Sequence, residues 1–393
     1  MGSKAFHYLD YAAATPLDER VQAAMQPYLS QLFYNPSATY APARQVAKDL
    51  EAARARVAHW LGARPSEVVF TAGGTEANNL AIHGVMQHAQ AVQADGKPLN
   101  VVVSAIEHEA VLQPAHQYAC REVAVHTDGS LDMASLEQSI DEHTVLVSIM
   151  YANNEIGTIQ PLQAVAQLLQ SVREARRQQG NNLPLYLHTD ACQAGNYLDL
   201  HAARLGVDLL TLNGGKIYGP KQSGVLYVRA GIELTPLIRG GGQESGLRSG
   251  TENVAGAIGL ATALDIAQQE RHQEVKRLQA LQQLFIDTLQ QRVLEAVIHG
   301  SRKKRLPNNI HITIPGKDNE RLLLELEMRQ VLAAAGSACS ASNEEPSHVL
   351  RAIGLSDAEA QSSLRFSMGR QTTEHAVEAA IVALVAALKA DNL

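Results

Sequence analysis

The chain has 393 residues, 46% hydrophobic and 19% charged, with a formal net charge of −7. This is enough for two domains around a large core, and the acidic balance excludes a broad basic surface for direct nucleic-acid binding. Cys120, Cys192 and Cys339 are odd in number, far apart and in no C-x-x-C spacing, which excludes a disulfide framework and a zinc site and fits a reducing cytoplasm.

The opening Met1-Gly2-Ser3-Lys4 lacks the apolar core of a signal peptide, and no apolar run is long enough to span a bilayer, so no membrane role is expected. From about residue 45 to 230, short Val-, Leu- and Ile-rich runs alternate with helical patterns, the sign of an α/β layer with a largely parallel sheet. Strands are predicted at 68–71, 100–104, 144–151, 185–189, 209–212 and 224–228. A helical pattern at roughly 255–292 carries Val275, Leu278, Leu281, Phe285 and Leu289 at spacings of three and four, one buried stripe on a helix that links two domains. The basic run Arg302-Lys303-Lys304-Arg305 reads as a solvated turn. A strand at 309–314, a helix from Asn319 and a last helix from about Thr373 complete a smaller α/β domain.

Nearly every unusual cluster falls at the end of a predicted strand, the rim where ligands collect in open α/β sheets. Gly73-Gly74-Thr75-Glu76 follows the first strand and opens a helix, where free N–H groups and the positive end of the dipole favour a phosphate; the spacing fits neither a P-loop nor a dinucleotide fingerprint. Glu107-His108-Glu109 follows the second strand and reads as a metal pair, an aromatic stacking partner or a surface turn, metal being disfavoured because only one histidine is well placed. Asn153-Asn154-Glu155-Ile156-Gly157 brings amides to the rim.

Asp190, in His188-Thr189-Asp190-Ala191-Cys192-Gln193, is either an N-cap or a rim carboxylate that needs a cationic or hydrogen-bonding partner. Lys216, in Asn213-Gly214-Gly215-Lys216, is either an exposed lysine on a turn or a Schiff-base former for pyridoxal phosphate (PLP), with Asp190 on the pyridinium proton. The segment holding Arg239 and Arg248 is a glycine-rich lid or an anion-binding surface, and Arg365, in a strand-like run, is a structural ion pair or a grip for a carboxylate. Gly336-Ser337-Ala338-Cys339-Ser340-Ala341-Ser342 places a thiol among small residues, the setting of a mobile nucleophile.

Taken in order, Tyr8-Leu9-Asp10-Tyr11-Ala12-Ala13-Ala14-Thr15-Pro16, the Gly74-Thr75-Glu76 turn, Glu107-His108, Asn153 to Gly157, Asp190-Ala191-Cys192-Gln193, Lys216-Ile217-Tyr218-Gly219-Pro220, Arg248 to Asn253 and the Cys339 segment resemble the cysteine desulfurases of the NifS/IscS type. The resemblance runs nearly end to end and implies a fold-type-I PLP-dependent transferase. Residues 16–262 would form the large cofactor-binding domain with a mostly parallel sheet between helices. Residues 1–15 and 263–393 would form the small domain that carries the cysteine loop. Lys216 would hold PLP as a Schiff base, Asp190 would pair with the ring nitrogen, Gln193 with the ring hydroxyl, and His108 would stack on the ring. Gly74 and Thr75 would receive the phosphate, joined by Thr251 of the other subunit of a homodimer. Asn154 and Arg365 would hold the carboxylate of L-cysteine.

On that reading the released Lys216 amine takes the Cα proton, Cys339 takes the sulfur as a persulfide, and L-alanine leaves. Two departures stand out. The family usually has Ser-x-His-Lys where this chain has Asn213-Gly214-Gly215-Lys216, so the cofactor cup lacks an imidazole, although Asn213 keeps an amide that can donate. The sequence also stops soon after its last helix, without the tail that housekeeping members use to dock an iron–sulfur scaffold. The expected acceptor is therefore a specialised cluster scaffold, a tRNA-thiolation carrier or the machinery of DNA phosphorothioation. The alternatives are a selenocysteine lyase, which needs no enzyme persulfide, a class V aminotransferase, which has no use for Cys339, and a cofactor-poor sulfur-carrier or assembly subunit.

Overall fold

The computed structural model describes residues 6–93, 96–336 and 346–390. Its strands in chain order are β1 (His7–Tyr8), β2 (Val68–Thr71), β3 (Asn100–Ser104), β4 (Ala119–Val123), β5 (Thr144–Ser148), β6 (Tyr186–Asp190), β7 (Leu209–Asn213), β8 (Gly224–Val228), β9 (Val297–His299), β10 (Asn309–Thr313), β11 (Val331–Leu332) and β12 (Ser363–Ser367).

The large sheet has the order β2-β8-β7-β6-β5-β3-β4. All its pairs are parallel except the two made by β8, which runs against both β2 and β7. Helices shield both faces, so β3 and β5 are buried along their whole length, and their unbroken runs Val101–Val103 and Val145–Val147 are what a strand covered on both sides requires. The edge strand β4 is Ala-Cys-Arg-Glu-Val and is mostly exposed, with charges that discourage further pairing. That polar character hid it from the periodicity reading. The strand predicted at 144–151 stops at Ser148, yet Ile149 and Tyr151 still donate to the carbonyls of His188 and Asp190 at 3.0 and 2.8 Å, so the apolar run continues in pairing geometry without a ladder.

The reversal of β8 decides what gathers at the rim. Because β8 runs backward, its first residue, Gly224, lies opposite both Thr71 and Asn213, between the carboxyl ends of β2 and β7. A Cβ at Gly224 would stand 2.5 Å from the carbonyl carbon of Gly73, so only glycine lets the β2 turn lie over the start of β8. The helix Gly74–Val92 starts from that turn.

The helix Val254–Arg292 is buried on nearly every face from Val254 to Gln268, then only along the stripe Leu278, Leu281, Phe285 and Leu289. Its first part packs into the core beneath the large sheet and its second part into a separate core with Ile310, Ile312, Leu364 and Phe366. This second core backs the antiparallel sheet β12-β10-β9 and the parallel pair β1-β11. The N-terminal segment stitches the two regions together: Ser367 N–H donates to Leu9 O at 2.7 Å, Thr15 N–H to Gly215 O at 3.2 Å and Tyr218 N–H to Thr15 Oγ1 at 2.8 Å. The basic run departs from its expectation at one end: Arg302, Lys303 and Lys304 are exposed, while Arg305 turns inward and burial lowers its pKa to about 10. No helix among the described residues is long and apolar enough to cross a membrane.

Candidate active site

A pocket of about 200 Å³ opens over the rim, and Gly74, Thr75, His108, Asn154, Asp190, Gln193, Asn213, Lys216 and Arg365 all line it. Residues spread over nearly three hundred positions therefore meet in one cavity. Its floor is the end of β6. Asp190 accepts from Asn78 Nδ2 at 2.7 Å and from the Cys192 N–H at 2.9 Å, two donors that fix the carboxylate at the edge of the pocket. Asn78, on the first turns of the helix Gly74–Val92, was missed from sequence; its signal was the four-residue step that sets it on the same helix face as Gly74. Behind Asp190, His188 is held between Ser148 Oγ at 2.8 Å and Thr211 Oγ1 at 3.1 Å. Burial lowers its pKa to about 4, against the pull of Asp190, so it is neutral at physiological pH.

Lys216 ends a short 3-10 turn after β7, and its Nζ donates to the carbonyls of Ala12 and Ala13 at 2.8 and 2.6 Å. The N-terminal Ala12-Ala13-Ala14 stretch is thus a wall of the site, which its bland composition did not reveal. Gln193 Nε2 reaches the Ala12 carbonyl at 3.0 Å, and Asn213 Oδ1 accepts from Gly215 N–H at 2.9 Å. His108 caps the helix Glu109–Ala115, its Nδ1 accepting from Ala110 N–H at 3.0 Å. That bond leaves the ring's proton on Nε2 when the imidazole is neutral. The preceding Glu107 belongs to no metal pair: it is fully buried, bonded by Ser104 Oγ at 2.5 Å and Met150 N–H at 2.8 Å. Burial first, with Asp190 adding to it, raises its pKa to about 8. No cluster of three metal-ligating side chains occurs among the described residues.

Arg365 is almost wholly buried on β12; one terminal nitrogen bonds Asp10 Oδ1 at 2.6 Å and the other the Asn154 carbonyl at 3.0 Å. The ion pair and the pocket position coexist, since each terminal nitrogen has a second proton to offer. Thr251 is exposed and does not line the pocket of its own chain. Arg248, on the same loop, bonds Glu76 at 2.9 Å, and Glu244 anchors the loop through Arg54 at 2.6 Å.

Cys339 lies outside the described residues, but both stems of its segment are placed. Ser347 Oγ donates to Glu155 Oε2 at 2.6 Å, and a Cβ on Gly336 would stand 3.3 Å from the same oxygen. Two residues before Gly336, Ala334 exchanges backbone hydrogen bonds with Arg365 at 3.1 and 2.6 Å. Glu155, quoted in sequence only for its neighbours, therefore anchors the end of the cysteine segment through Ser347, while the pairing of Ala334 with Arg365 anchors its start beside the pocket. The other two thiols are poor nucleophiles: burial pushes Cys120 up to about 11, and burial with the Asp190 charge pushes Cys192 well up.

The cavity suits PLP. A carboxylate held by two donors faces it from the floor, a lysine amine stands at one side, and a helix start with no Cβ at its first residue stands at the other. The description Aminotransferase class-V matches residues 7–380, and the chain belongs to that family. The cysteine desulfurase IscS of Dictyoglomus turgidum is 41% identical over 372 residues, 93% of this chain and 90% of that one. Among solved structures, a NifS-like protein shares 31% identity at a TM-score of 0.87 and covers 97% of this chain and 99% of its own. A structure of SspA in complex with cysteine shares 33% identity at a TM-score of 0.76, covering 92% and 98%. Within the family the chain is of the NifS/IscS type, a fold-type-I enzyme with PLP as cofactor.

Proposed function

We infer that this chain, a PLP-dependent cysteine desulfurase, removes sulfur from L-cysteine through the residues gathered in the rim pocket and stores it on Cys339 before passing it to an acceptor protein. The observation that carries the assignment of roles is the convergence of Lys216, Asp190, His108, Thr75 and Arg365 on one cavity, with one stem of the Cys339 segment paired to Arg365 through Ala334 and the other bonded to Glu155 through Ser347. The cofactor supplies an aldehyde for the substrate amine and an electron-accepting ring.

Asp190 holds the proton on the ring nitrogen, stabilised by Asn78 and the Cys192 N–H. His108 stacks on the ring, Gln193 and Asn213 bond its periphery, and Gly74 and Thr75 receive the phosphate at the helix N-terminus. Arg365 and Asn154 hold the substrate carboxylate. Lys216, freed from its role as cofactor anchor, moves a proton from Cα, and the Ala12 and Ala13 carbonyls stabilise the ammonium that forms. The Cys339 thiolate bonds to the substrate sulfur as the carbon–sulfur bond breaks with its electron pair going to the carbon fragment, which takes a proton at Cβ, recovers one at Cα from the Lys216 ammonium and leaves as L-alanine.

In this reading residues 16–262 form the cofactor domain, residues 1–15 and 263–393 the small domain, and Thr251 serves the pocket of a second copy in a cytoplasmic homodimer. The exposure of Thr251 on a loop beside Arg248 supports that placement. The delivered sulfur goes to iron–sulfur cluster assembly, tRNA thiolation or DNA phosphorothioation. Cys339→Ser tests the core of the proposal. The variant keeps its cofactor absorbance and loses alanine formation from L-cysteine. Undiminished turnover would remove Cys339 from the reaction and favour a lyase that needs no enzyme persulfide.

A further inference from the structure

The phosphate end of the pocket lacks the imidazole that the NifS/IscS pattern supplies, because Gly215 stands in its place. Nothing in the backbone requires glycine there: a Cβ at Gly215 would meet Asn213 Oδ1 and Lys221 Cγ, both at 3.4 Å, ordinary contact distances. The absent side chain would thus lie between the Asn213 amide and the stem of Lys221.

Lys221 follows Gly219-Pro220 on the turn into β8. It lines a second cavity of about 410 Å³ that shares Gly74, Thr75, Asn213 and Lys216 with the rim pocket and so continues it toward the helix N-terminus. Its Nζ donates to the Thr15 carbonyl at 3.1 Å, and an ammonium has three protons to donate. The acidic side chain on this cavity, Glu76, is already engaged by Arg248 at 2.9 Å and the Ala72 N–H at 2.8 Å. Of the cations lining it, Lys216 is committed to the Ala12 and Ala13 carbonyls and to the cofactor aldehyde.

A phosphate monoester carries close to two negative charges at neutral pH, more than the dipole of one helix start offsets. We propose that Lys221, its stem lying across the space left open by Gly215, is the cationic partner of the cofactor phosphate in this enzyme. The inference rests on the placement of the phosphate at Gly74-Thr75. An ammonium on a four-carbon stem is a mobile point charge, so the site grips the phosphate by charge where an imidazole would offer one directed bond.

Titration of the cofactor-free full chain with PLP and with pyridoxal, which lacks the phosphate, followed by absorbance, tests it without recourse to turnover. Lys221→Gln should weaken PLP binding about tenfold or more while shifting pyridoxal binding less than about twofold, and Lys221→Arg should keep most of the PLP affinity. Adding Gly215→His to Lys221→Gln should restore part of the loss. A variant that misfolds would lose both ligands together, and Lys221→Arg against wild type then carries the comparison, a tenfold loss confined to PLP there refuting charge as the basis. The control is Thr75→Val. If it weakens PLP selectively and Lys221→Gln does not, Lys221 is wrong and the phosphate placement stands. If neither variant separates PLP from pyridoxal, the phosphate does not lie at this end and both readings fall.

Discussion

The close approach of Gly74 to Cys192 offers the sharpest test of how the cofactor cup is built. A methyl group at Gly74 would lie 2.8 Å from Cys192 Sγ and 3.5 Å from Asn213 Cβ and Nδ2. Ordinary contacts to carbon fall at about 3.5–4.0 Å, so the overlap with sulfur is at least ~0.7 Å, and Asn213 blocks the other side. The Cys192 backbone is held in place by its N–H bond to Asp190 Oδ1, so a shift of the residue as a whole disturbs that carboxylate. Overpacking of this kind costs about 1–3 kcal/mol. The structure must relieve it by moving either the helix start, which displaces Thr75, or the Asp190 turn, which displaces the carboxylate. Either movement weakens PLP binding as well as the fold. Cys192→Ala removes the obstructing atom, so in a double-mutant cycle Gly74→Ala should cost about 1–3 kcal/mol alone and little in the Cys192→Ala background, a coupling of nearly the whole penalty. Urea denaturation of the four cofactor-free proteins gives the stabilities, and PLP titration gives the affinities. A harmless Gly74→Ala, or a penalty unchanged by Cys192→Ala, would refute the steric account.

Two further perturbations address buried charge. Glu107 is raised to about 8 in the folded chain from an ordinary 4.5, so between those values the folded state holds a proton that the unfolded state has lost. Stability therefore falls as pH rises through that window, by at most about 1.4 kcal/mol per pH unit from this group. Glu107→Gln, which keeps an oxygen for Ser104 and the Met150 N–H, should match the wild type near pH 4.5 and gain on it steadily toward pH 8 in urea melts, whereas parallel pH profiles would show that Glu107 is not held neutral. At Arg365, replacement by Ala leaves Asp10 without its partner at the pocket and should cost about 3–5 kcal/mol in stability. Arg365→Lys should fold but lose the two-pronged geometry, raising the KM for L-cysteine about tenfold with a smaller change in kcat. A fall in kcat with unchanged KM would place Arg365 outside substrate binding.

What the sequence disclosed and what it concealed divide along a physical line. Strands buried on both faces write themselves as unbroken apolar runs, so β3, β7 and β8 were found nearly to the residue and β5 was found with its end overrun by three, and the turns that follow the parallel strands carried the chemistry-bearing clusters. Direction is another matter: β8 has the same buried composition as its parallel neighbours, and its reversal follows only from the short turn that contains Pro220 and Lys221. β4 was missed because an edge strand has one neighbour and a solvated face, and its Arg and Glu belong there.

The site shows the same division. Lys216, Asp190 and Arg365 are polar groups at positions where burial demands a partner, and that demand is legible in a string of letters. Ala12 and Ala13 contribute only carbonyls, which every residue has, so no composition could mark them as the seat of the Lys216 amine. Gly215 is the instructive case. The sequence shows only a side chain missing; the fold shows a lysine stem lying beside the gap, and that juxtaposition suggests the exchange of a directed imidazole bond for an ammonium charge.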